Sequence, residues 1–84
     1  MTPDVAFQVL KNHGRSECTA QFWMSDTPAR QFASLRECLL FLADNRRDEA
    51  LPDVHVHTAE GDIAINGPDL EALIRVASAA RAAT

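Results

Sequence analysis

Eighty-four residues, 46% hydrophobic and 24% charged, suffice for one domain spanning 1–84 but not for two independent cores of roughly 50 residues each. The net charge of −4 is too small, and the apolar residues too periodic, for an intrinsically disordered chain. No Lys/Arg run is present to displace counterions from a phosphate backbone, which argues against direct nucleic-acid binding. The acid excess lies wholly after Leu42, because the first half balances Asp4, Glu17, Asp26 and Glu37 against Lys11, Arg15, Arg30 and Arg36.

The alternation of Val5, Phe7 and Val9 predicts an opening strand. His13-Gly14 supplies a turn, and Glu17–Met24 folds back as its partner. In that register Val9 faces Cys18, Phe7 faces Ala20 and Val5 faces Phe22, all on one side. A competing reading makes Thr2–His13 a helix, with Thr2 as N-cap, Pro3 in the first position and Gly14 as the stop. The β-branched valines favour the hairpin.

After the loop Ser25-Asp26-Thr27-Pro28, the residues Gln31–Ala33 suit a short edge strand. Ser34-Leu35-Arg36-Glu37 has the form of a capping box. It opens a helix to about Asn45, with Leu35, Cys38, Leu39 and Leu42 on one stripe. Arg46–Pro52 is a charged connector. Asp53–Thr58 alternates, with Val54 and Val56 inward and His55 and His57 outward. Folding over Glu60-Gly61 sets Val56 opposite Ile65 and Asp62 diagonal to His57. Gly67-Pro68-Asp69 starts a last helix whose buried stripe is Leu70, Leu73, Ile74 and Ala77. The expected architecture is α+β: two β-hairpin–helix units in the order ββαββα, forming an antiparallel sheet with both helices on one face.

Cys18 and Cys38 are too few and too widely spaced for a disulfide scaffold, so they read as reduced core thiols. No basic-then-apolar leader is present and the longest apolar run is Leu39–Ala43, which predicts a cytoplasmic protein without a membrane span. His55 and His57 share a strand face and are weak metal candidates, for want of a third and fourth ligand. No catalytic or cofactor motif is recognisable, so a non-enzymatic chain without cofactor is expected. Apolar residues left outside the core, namely Leu10, Trp23, Leu40 and Phe41, predict a contact surface for a protein partner or a second copy. The acids Asp44, Asp48, Glu49, Asp53, Glu60 and Asp62 suggest an alternative, docking on a basic nucleic-acid-binding cleft as an inhibitor.

Overall fold

The computed structural model describes residues 1–22, 28–45 and 51–83. Their elements are α1 (Pro3–His13), β1 (Cys18–Gln21), β2 (Arg30–Phe32), α2 (Leu35–Asp44), β3 (Asp53–Thr58), β4 (Gly61–Ile65) and α3 (Gly67–Ala82). The chain is therefore mixed α+β, with a four-stranded antiparallel sheet ordered β2-β1-β3-β4.

The first correction to the sequence reading lies at the start. Residues 3–13 are a helix, so the order is not ββαββα and the hairpin of Val9 with Cys18 does not form. Cys18 pairs instead with Phe32 and Val56. The helix forms because its ends are well specified. Thr2 accepts from the Val5 amide at 3.2 Å, Pro3 sits where no amide is needed, and Lys11 and His13 occupy the last turn. These signals outweigh the modest β preference of two valines. The face turned inward carries Ala6 and Leu10, with Val9 partly buried beside them.

A short connector then does two jobs. The carbonyls of Gly14 and Ser16 accept from the amides of Arg36 and Leu35 at 3.0 and 2.8 Å. Those are the first two amides of α2, which have no partner inside the helix. Ser34 Oγ accepts from the Glu37 amide at 3.1 Å, as the capping sequence predicted. The end of α1 is thereby fastened to the start of α2.

The second hairpin forms with a register two residues from the expected one. Val54 faces Ile65, Val56 faces Ile63 and Thr58 faces Gly61 across a turn at Ala59-Glu60. Gly61 has φ 121°, a conformation that disfavours side chains. Thr58 Oγ1 also donates to the Gly61 carbonyl at 2.5 Å. A shift of two preserves parity, so Val54, Val56 and Ile65 still point inward, while Ile63, opposite Val56, is 39% exposed. Cys18, Ala20, Val54, Val56 and Ile65 all point to one side, where they join Leu35, Leu39, Leu70 and Leu73 in a single buried cluster. Among the described residues no polar or charged residue is buried. None of the described helices is long and apolar enough to cross a membrane.

Candidate functional site

The opposite side of the sheet is polar. Thr19 faces Gln31 on one neighbour and His55 on the other, and His55 faces Ala64. The next row places His57 directly opposite Asp62. His57 Nδ1 lies 2.9 Å from Asp62 Oδ1, and His57 Nε2 lies 2.8 Å from Thr19 Oγ1. A carboxylate only accepts, so with a neutral imidazole the proton sits on Nδ1 and the Thr19 hydroxyl donates to Nε2. A recess of about 220 Å³ adjoins this line, with Glu17, Gln31 and Ala33 in its wall.

Hydroxyl, imidazole and carboxylate in this order match the sequence of groups in a hydrolytic triad. Two features separate the arrangement from one. Thr19 is on β1, flanked by strands on both sides, so the amides around it are shared between two ladders rather than gathered to hold an oxyanion. Asp62 is 57% exposed, which leaves water competing for the carboxylate that would orient the ring. What the line supplies is cross-strand pairing, worth roughly 0.2–1 kcal/mol per pair. The direct His57–Asp62 opposition was missed in the sequence because the turn was placed one residue late. Thr58 and Gly61 bracketing two residues were the available signal. Among the described residues no group of three or more His, Cys, Asp or Glu is placed to hold a metal ion.

The expected acidic surface is partly spent within the chain. Asp44 accepts twice from the Arg81 guanidinium, at 2.8 and 2.9 Å, and this bond holds its carboxyl below the usual range. Asp62 is on His57 and Asp53 also has a partner. Glu60 is exposed at the hairpin turn, while Asp48 and Glu49 lie outside the described residues.

The four apolar contact candidates separate in the same way. Leu10 is 3% exposed and belongs to the core. This corrects its placement outside the core, since a helix turns Leu10 to the same side as Ala6. Leu40 and Phe41 are half-buried against the core. The Phe41 and Phe32 ring centroids are 5.4 Å apart with the rings tilted by 51°, and the Arg30 guanidinium sits 4.3 Å above the Phe41 ring. Helix α2 is thus covered by its own chain on two sides, by α3 and by the edge of the sheet. Trp23 lies outside the described residues.

Among the described residues the large apolar side chains left exposed are Phe7 and Val5 on α1, Met1 beside it and Ile63 on β4, and the two on α1 are the most exposed. Phe7 is 54% exposed and Val5 49%. At about 100° per residue, Asp4, Phe7 and Lys11 fall within one stripe roughly 60° wide, and all three are exposed. Val5 lies on the other flank, on the side of Met1, whose terminal ammonium reaches Asp69 at 2.8 Å. Sequence reasoning missed Phe7 because alternation placed it inside. Counting the i, i+4 pair Ala6 and Leu10 as the buried stripe would have placed it outside.

Compared with known protein families, with curated proteins and with solved structures, the chain finds no match.

Proposed function

We propose that the protein is a non-enzymatic protein-interaction module, and that the Asp4–Phe7–Lys11 stripe of α1 is its contact surface for a second copy of the chain. The observation that carries this reading is a phenylalanine 54% exposed between an acid and a base at helical spacing. Two such stripes laid antiparallel about a two-fold axis bring Phe7 against Phe7. The same operation sets Asp4 of each copy beside Lys11 of the other, so the surface complements itself, as a two-fold contact requires. Aromatic rings are effective anchors in such contacts, and charges at the rim fix register more than they add affinity.

A pair of short helices buries less than about 1,200 Å², so association in roughly the micromolar range or weaker is expected. Light scattering or sedimentation across a concentration series measures it. Phe7→Ser should leave a monomer at every concentration, while its circular dichroism stays helical because Phe7 is outside the core. Asp4→Lys should weaken association by setting like charges together, and adding Lys11→Asp should restore it. A wild-type chain that is monomeric throughout, or a double reversal that restores nothing, contradicts the proposal. The single charge reversals also remove favourable charges at the helix ends, worth about 0.3–1 kcal/mol each, so helix content is followed in parallel.

A further inference from the structure

The chain carries a net charge of −4, yet one recess on it is lined by three cations and no carboxylate. Lys11 in the last turn of α1, Arg15 in the connector and Arg36 at the second position of α2 surround it, with Leu10, Asn12 and Gly14 completing the wall. Its volume is about 560 Å³, within the range of pockets that hold small molecules. All three cationic side chains are exposed, and among the described residues none of them makes an ion pair or a side-chain hydrogen bond. Arg30 and Arg81 behave differently, since they are engaged by the Phe32 and Phe41 rings and by Asp44.

No carboxylate draws the three charges together. The backbone does, through the bonds from the Arg36 amide to the Gly14 carbonyl and from the Leu35 amide to the Ser16 carbonyl. Arg36 also sits at the positive end of the α2 dipole, where a cation is unfavourable. Like charges held close, one of them at the wrong end of a helix, are the arrangement expected of a site that serves an anion. The Leu35, Arg36 and Glu37 amides already have acceptors in Ser16, Gly14 and Ser34. The donors left for a ligand are therefore the two guanidinium forks, the Lys11 ammonium and the Asn12 amide, which suit phosphate oxygens.

We propose that this recess binds the diphosphate group of a small phosphorylated molecule. One phosphate monoester carries a charge of about −1.5 to −2 and leaves a cation unmatched, whereas two linked phosphates match all three. Lys11 is shared with the α1 stripe, but Arg15 and Arg36 lie outside it, so the site goes beyond the self-contact and is tested apart from it.

The test titrates the labelled full chain with inorganic pyrophosphate and follows amide chemical shifts. The expected result is saturation below millimolar pyrophosphate, with the largest shifts at Asn12, Arg15 and Arg36. Arg15→Gln and Arg36→Gln should each weaken binding roughly tenfold, as loss of one charge-assisted hydrogen bond implies. Orthophosphate should bind more weakly than pyrophosphate, and adenosine diphosphate about as well. Arg36→Gln should melt no lower than wild type, which separates lost binding from lost fold. Arg75→Gln, on α3 outside the recess, should bind unchanged, and so should Phe7→Ser whether or not the chain self-associates. Absence of saturation, equal binding of orthophosphate, or an equal loss in Arg75→Gln overturns the proposal. Loss of binding in Phe7→Ser, or tighter binding of duplex DNA than of pyrophosphate, overturns it as well.

Discussion

Leu39→Ala is expected to destabilise the fold by about 2–5 kcal/mol, while Leu40→Ala one residue along loses distinctly less. Leu39 is fully buried in the cluster that joins α2, α3 and the sheet, and Leu40 is only half-buried at its margin. The difference comes from what surrounds each side chain. Truncating Leu39 removes apolar contacts on all sides and leaves a cavity, whereas water already reaches Leu40. An 84-residue chain has a total stability of about 4–13 kcal/mol on the usual per-residue scale. Leu39→Ala therefore consumes much of it, and chemical denaturation of the two variants side by side measures the gap. Equal losses would mean that α2 is buried all round, by something other than this chain.

Gly14→Ala is the second large effect, and its sign is informative. Gly14 has φ −59° and ψ −23°, ordinary right-handed helical values that alanine adopts freely. On conformational entropy alone the substitution should stabilise by about 0.4–1 kcal/mol. The surroundings reverse this. A methyl group at Gly14 would collide with the carbonyl oxygen of Leu10. The backbone has little room to retreat, because the Gly14 carbonyl is held by the Arg36 amide and Ser16 N donates to the His13 carbonyl at 2.9 Å. A loss of about 1–3 kcal/mol follows, the range found where overpacking forces the backbone to move. Thermal melting distinguishes the two outcomes by direction. A rise in melting temperature would show that α1 and α2 are not clamped together through Gly14.

Helices α2 and α3 and the alternating strand β3 were legible in the sequence, whereas the opening helix was not. Ser34 with Glu37 marked the start of α2, and Pro68 after Gly67 marked α3. Their buried stripes came out residue for residue, because each is long enough for the 3.6-residue period to stand out. The opening segment carried two patterns together. Val5, Phe7 and Val9 alternate, while Ala6 and Leu10 are four apart. Weight went to the three larger residues, yet the fold buries the pair that includes alanine, since a small side chain lets α1 lie close to its neighbours. Thr2 and Pro3 were the decisive residues, because they settle where a helix begins whatever its interior prefers.

The second hairpin shows a different limit. Parity of alternation told which side chains face inward, but it is blind to a shift of two, and only the turn settles that. Choosing Glu60-Gly61 as the turn instead of Ala59-Glu60 moved Asp62 from its place opposite His57. The polar line across the sheet was lost with it.

All of the proposed contact surface depends on residues 3–13 being helical with Phe7 turned outward. Backbone Cα chemical shifts and nuclear Overhauser contacts of that segment in the labelled protein report this directly. Helical shifts from Pro3 to His13, with contacts from Ala6 and Leu10 to core residues and few from Phe7, are the expected result. Extended-chain shifts with a cross-strand contact between Val9 and Cys18 would restore the hairpin and remove the α1 surface altogether.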